Sequence, residues 1–137
     1  MNMQQRNYAL ALAAVQVLEA EEKARESAYC LQNGYVDEQG KPATRIHQIQ
    51  DDAVFDAAND DFSSLNESLY ARLYAAKDAL RDAENALIDF GLSILPKAYA
   101  RERELLSRKA KEDFTLRRKL IDNAFKLDTR TIPRAWR

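Results

Sequence analysis

Residues able to do chemistry are few and scattered along this 137-residue chain. It has one histidine (His47), one cysteine (Cys30), and glycine only at 34, 40 and 91. Metal sites, nucleophile–base pairs and phosphate cradles all need such residues in clusters. His47, in Arg45-Ile46-His47-Gln48, has no ligand partner nearby in sequence and reads as a surface or turn histidine. Cys30 lies in Ala28-Tyr29-Cys30-Leu31 with no base beside it, so it reads as a small buried hydrophobe. A lone cysteine also excludes an intramolecular disulfide.

Carboxylates are the remaining candidates. Asp51, Asp52, Asp56, Asp60 and Asp61 invite a calcium reading, but the spacing lacks the central glycine and closing glutamate of an EF-hand loop. The pairs Glu21/Glu22 and Asp60/Asp61 could do acid–base work, yet no apolar sequence surrounds them to shift a pKa. A di-metal helical bundle needs Glu-x-x-His pairs, and Glu-x-x-His does not occur. Phosphate-loop, dinucleotide-binding, nucleophile-elbow and zinc-protease motifs are missing as well. We therefore expect no catalytic residues, no metal and no cofactor.

The elements around these residues read as helices. Leu10, Val17, Ala24 and Leu31 recur every seven residues, with Ala14 and Ala28 on the same seam and Glu21 interrupting it. This predicts helix one over about 4–32, ended by Asn33-Gly34, which tolerate the left-handed conformation. Residues 33–61 form a connector. In it, Asp37-Glu38-Gln39-Gly40 reads as a tight turn that could join Tyr35-Val36 to Ala43–Ile46 as a short hairpin, made irregular by Pro42. The acidic stretch that follows has room for a short helix anchored by Val54 and Phe55.

Helix two is predicted over 63–90. Phe62, Leu69, Ala76, Ala83 and Phe90 fall on one heptad track and Leu73, Leu80 and Leu87 on another, with Leu65 on the same stripe. Ser63 or Ser64 would cap its start, with Glu67 completing a capping box. Helix three is predicted over 96–127, starting at Pro96. Its apolar residues Leu95, Tyr99, Leu106, Ala110, Phe114, Ile121 and Phe125 approach an eleven-residue repeat. Residues 128–137 form an extended basic tail ending in Arg134-Ala135-Trp136-Arg137.

The expected fold is thus all-α. It is one helical domain over 1–127, an elongated antiparallel bundle of three long helices with an irregular or hairpin excursion between the first two. Its composition, 46% hydrophobic and 31% charged, suits a folded domain, though much of the apolar share is alanine, which buries little area per contact. A slender bundle of this kind could be completed by a second chain.

No apolar stretch reaches the roughly 20 residues that span a bilayer, so no membrane role is expected. Tyr8–Leu18 could pass for a signal-peptide core, but Gln16 interrupts it and the helical pattern continues to Leu31. The expected location is cytoplasmic.

The net charge of −1 hides an asymmetry. Residues 1–100 carry 9 basic and 16 acidic side chains, and residues 101–137 carry 12 basic and 6 acidic. Two functional readings follow. In the first, the chain is a non-enzymatic interaction module (adaptor, inhibitor, chaperone-like or assembly subunit). It would meet another protein or a second copy of itself through helical surfaces, Tyr35 in the excursion, and Arg130, Ile132, Arg134, Trp136 and Arg137 in the tail. The alternative is nucleic-acid binding through Arg108, Lys111, Arg117, Arg118, Lys119, Arg130, Arg134 and Arg137, with Trp136 available to stack on a base. Interleaved acids and the spread of these cations over several helix faces weigh against the alternative.

Overall fold

The computed structural model describes residues 2–94 and 100–126. Its elements are all helical: α1 (Met3–Gln32), a 3₁₀ turn (Ile46–Gln48), α2 (Asp52–Leu65), α3 (Glu67–Ser93), α4 (Ala100–Ala110) and α5 (Phe114–Lys126). No β-strand occurs among the described residues; the expected hairpin is reduced to one antiparallel bridge, Val36 to Pro42. The all-α class therefore holds, with helices packed as in a bundle, while the expected three-helix count does not. The chain divides into two compact units, Ala13–Lys77, and Met1–Leu12 with Asp78–Arg137.

In the Ala13–Lys77 unit, α1 ends where Asn33-Gly34 predicts. Gly34 takes φ +69°, its N–H reaches the Leu31 carbonyl at 3.2 Å, and the Tyr35 N–H reaches that of Cys30 at 3.1 Å. This is the Schellman closure, which satisfies carbonyls left over at the helix end. The chain then reverses at Asp37–Gly40. Gly40 takes φ +76°, and Asp37 Oδ1 accepts the N–H groups of Gln39 (2.9 Å) and Lys41 (3.0 Å). Tyr29, Cys30, Ala43, Ile46, Ile49, Ala58 and Phe62 form the buried cluster, with Tyr35, Phe55 and Tyr70 against it.

The acidic stretch holds the expected helix, α2, longer than a short one, and of its two expected anchors Phe55 packs inward while Val54 is 40% exposed. Asp51 caps it by accepting the Val54 N–H at 3.0 Å. Phe55, Ala58 and Phe62, spaced three and four apart, turn one face to the cluster. Ser63 and Ser64 belong to its last turn, so they do not cap the next helix. Asn66 makes the break. Its Nδ2 donates to the Phe62 carbonyl at 2.9 Å, and its Oδ1 accepts from Arg25 Nη1 at 3.1 Å. With its side chain tied in both directions, Asn66 holds a non-helical conformation (φ −121°, ψ 26°), and α3 starts at Glu67. The heptad tracks of the second predicted helix run as read: Leu69, Leu73 and Leu87 are buried. Leu65, ahead of the break, is exposed.

In the other unit, Tyr8, Leu87, Ile88, Leu92, Ala110, Ile121 and Ala124 form the core, joined by Leu12, Leu80, Ala83, Leu106 and Leu120. Glycine matters at Gly91, where a Cβ would stand 3.1 Å from the Ala124 Cβ, so its absence lets α3 and α5 approach closely. The predicted third helix is two helices. Asp113 accepts the Leu116 N–H at 3.1 Å and caps α5, interrupting the chain after Ala110. The interruption changes the helical phase, which leaves Phe114 77% exposed instead of in the expected apolar row. Leu95, Tyr99 and the tail 128–137 lie outside the described residues.

Two polar clamps close this unit. Gln5 is buried, and its Nε2 donates to the Ala124 carbonyl at 3.0 Å. Arg117, its side chain only 12% exposed, pairs through Nε with Glu84 Oε2 at 2.8 Å and directs Nη1 and Nη2 at the Ala110 and Arg81 carbonyls. Removing one member of a mostly buried pair strands the other. Arg117→Ala is expected to lower unfolding free energy by about 2 kcal/mol, below the value for full burial because water reaches both partners. Arg118→Ala and Lys119→Ala, on exposed positions, should each change it by no more than about 0.5 kcal/mol. Urea denaturation of the three variants checks the contrast.

Candidate interaction surface on the first helix

In α1 the heptad seam read from the sequence exists and lies outside the core. Leu10, Val17 and Leu31 are 64%, 66% and 69% exposed, and Ala13, Ala14, Ala20, Ala24 and Ala28 are exposed with them. The positions that turn inward are Tyr8, Val15, Glu22 and Tyr29, two residues earlier in each heptad. Two residues correspond to about 200° around a helix, so the two rows occupy opposite faces.

Buried polar groups set this orientation. Glu26, Tyr29 and Cys30 all turn inward from the last turns of α1. Glu26 Oε1 accepts the Ile46 N–H at 2.8 Å, and its Oε2 pairs with Arg45 Nε at 3.1 Å. Glu22 stands 4.0 Å from Arg45 Nη2. A buried carboxylate is tolerated when its oxygens are occupied this way. Thr44 and Gln48 complete the return of the chain: the Thr44 N–H donates to Gln48 Oε1 at 2.9 Å, and the Ser27 hydroxyl donates to the Thr44 carbonyl at 2.9 Å.

Beside this network, Glu22, Glu26, Arg45, His47, Asn59 and Tyr70 contribute to the lining of a small cavity of about 190 Å³. His47 itself is exposed. Among the described residues no three His, Cys, Asp or Glu side chains gather as a metal-holding group. Cys30 is fully buried, and burial raises its thiol pKa, the reverse of what a nucleophile needs.

The structure disperses the remaining sequence candidates. Tyr35 is half-buried, its ring 6.0 Å from that of Tyr29, so it belongs largely to the cluster. Arg108 pairs with Glu104 at 2.7 Å, and Arg117 is held in the clamp described above. Lys111, Arg118 and Lys119 are exposed. Arg130, Ile132, Arg134, Trp136 and Arg137 lie outside the described residues. No helix among the described residues is long and apolar enough to cross a membrane. No protein-family model matches the chain, and no curated protein or solved structure matches it.

Sequence reasoning missed Glu26, because a glutamate among glutamates carries no mark of burial until Arg45 and Ile46 fold back on it. It also missed Tyr29 and Tyr70, whose rings both pack against Phe62. Tyr29 donates its hydroxyl to Asp61 Oδ2 at 2.7 Å. Burial first, and this hydrogen bond second, push its pKa above the ordinary 10.0; burial and the nearby Glu22 push Tyr70 the same way. In the unfolded chain both ionise near 10.0, while the folded chain keeps them protonated. Their contribution is therefore complete below pH 10 and is lost as pH rises through the raised folded values. Urea midpoints should fall steadily above about pH 10. Tyr29→Phe should cost about 1 kcal/mol at pH 7 through the lost hydrogen bond and make the alkaline decline shallower.

Proposed function

We propose that this chain is a non-enzymatic, cytoplasmic protein-interaction module that docks a helix on the outer face of α1. The observation that carries the reading is the exposed row of Val17, Ala24 and Leu31, with alanines and the partly exposed Glu21 between them. Scattered apolar residues on a surface need no explanation, but a row repeating every seven residues along one helix face has the period of a helix–helix seam. Alanine at 13, 14, 20, 24 and 28 lets a second backbone come close, and Val17 and Leu31 supply area removed from water. Adaptor, inhibitor, chaperone-like and assembly roles all fit a surface of this kind.

Nucleic-acid binding is the second reading, and exposed Lys111, Arg118 and Lys119 favour it. Arg117 is committed to Glu84 in a mostly buried pair, while Arg108 only shares an exposed pair with Glu104, so α5 offers one cation fewer than the sequence suggests and carboxylates interleave the rest. The interaction reading is therefore preferred.

The test is affinity capture from lysate with the wild-type chain and with Val17→Glu/Leu31→Glu, after circular dichroism shows equal helicity. The expected result is a retained protein, another species or the chain itself, that the double variant loses. Equal capture by both, or none by either, would overturn the reading.

A further inference from the structure

We infer that the cavity lined by α1, the 3₁₀ turn, α2 and α3 is a binding site for a small primary ammonium ion. It lies on the inward side of α1, apart from the outer face proposed for docking. All of its lining residues fall within the Ala13–Lys77 unit. At about 190 Å³ it is smaller than the roughly 300–1,000 Å³ of a drug-sized pocket, so it suits a ligand of few heavy atoms.

Charge sets the sign of the ligand. Two carboxylates, Glu22 and Glu26, and one guanidinium, Arg45, line the cavity. Glu26, its side chain 9% exposed, uses one oxygen on the Ile46 N–H and the other on Arg45 Nε. That pairing neutralises Arg45 and leaves Glu22 as the charge in excess. The Glu22 side chain is only 21% exposed, yet Arg45 Nη2 lies 4.0 Å from it, beyond hydrogen-bond distance. A carboxylate held largely out of water without a donor is costly. A cation bearing N–H groups removes that cost.

The walls set the body of the ligand. Phe55, Phe62 and Tyr70 bring aromatic rings to the same cavity, and such rings attract cations and pack against the alkyl chain that carries one. Tyr70 also supplies a second acceptor. Glu22 and Glu26 lie close enough to its hydroxyl to add to the effect of burial and push its pKa up, with no hydrogen bond between them. An ammonium seated between Glu22 and the Tyr70 hydroxyl donates to both. A metal ion fits less well, because among the described residues no three His, Cys, Asp or Glu side chains gather and a hard cation needs several oxygen ligands at once.

Titration of the isotope-labelled full chain with n-butylammonium, followed by NMR, tests the site. The expected result is saturable millimolar binding, well within what about five non-hydrogen atoms can supply, with the shifts centred on Ile46, His47 and Asn59. Glu22→Gln should weaken it about tenfold, the effect of one hydrogen bond between charged groups, and Tyr70→Phe about threefold. Glu38→Gln, which removes the same charge at an exposed turn position, should leave binding unchanged. Absence of saturable shifts, equal shifts with sodium chloride, or undiminished binding in both Glu22→Gln and Tyr70→Phe would overturn the site. Tetramethylammonium has no N–H and should bind more weakly; equal binding would overturn the primary-ammonium assignment. A lysine side chain carries the same head group, so Nα-acetyl-lysine N-methylamide separates the two sources. Binding as tight as that of butylammonium would assign the site to a lysine end, and weaker binding to a free amine.

Discussion

A charged carboxylate cannot sit in a protein interior unless its oxygens are occupied, and Glu26 is buried. One oxygen takes the Ile46 N–H and the other the Arg45 guanidinium. To supply those two donors the chain must leave α1, reverse at Asp37–Gly40, and return against the helix it just left. Satisfying Glu26 therefore fixes the path of residues 33–49. It also fixes which way α1 faces, because the row with Glu22, Glu26 and Tyr29 must turn inward. The row with Val17, Ala24 and Leu31 is then left in solvent. The exposed row proposed as a docking face is in this sense a consequence of a buried charge.

The other unit shows the same economy. Its core is thin, with alanine at 83, 110 and 124, and small side chains remove little surface from water. Polar clamps add what area does not: Gln5 on the Ala124 carbonyl, Arg117 on Glu84. These contacts are directional, so they select one packing of the helices where an alanine surface would accept several. Arg117, a cation that could serve phosphate recognition, is used for this structural purpose.

Much of the helical content was legible because it depends on local chemistry. Asn33-Gly34 ends α1, Gly40 makes the turn, and the Leu69, Leu73 and Leu87 row is buried. The breaks at Asn66 and at Lys111–Asp113 were not legible. The Asn66 break depends on the distant Arg25, which no local pattern shows; the Asp113 cap on the Leu116 N–H is local, but the apolar row running across it hid it. The inward face of α1 was hidden for a similar reason. Apolar periodicity marks where hydrophobic residues lie along a helix, and it does not tell whether they meet this chain or another. Val17, Ala24 and Leu31 read as an apolar stripe, and only the fold reveals that none of the described residues covers it. The tail that drew attention through Trp136 lies outside the described residues.

The most direct test of this account is thiol reactivity at two neighbouring α1 positions, Val15→Cys and Val17→Cys, in dilute monomeric protein. Val15 is 5% exposed and Val17 66% exposed. A small maleimide should label cysteine 17 nearly as fast as a free thiol and cysteine 15 far more slowly. Equal rates, or faster labelling at 15, would mean that Glu26 does not set the facing of α1, and the proposed docking face would fall with it.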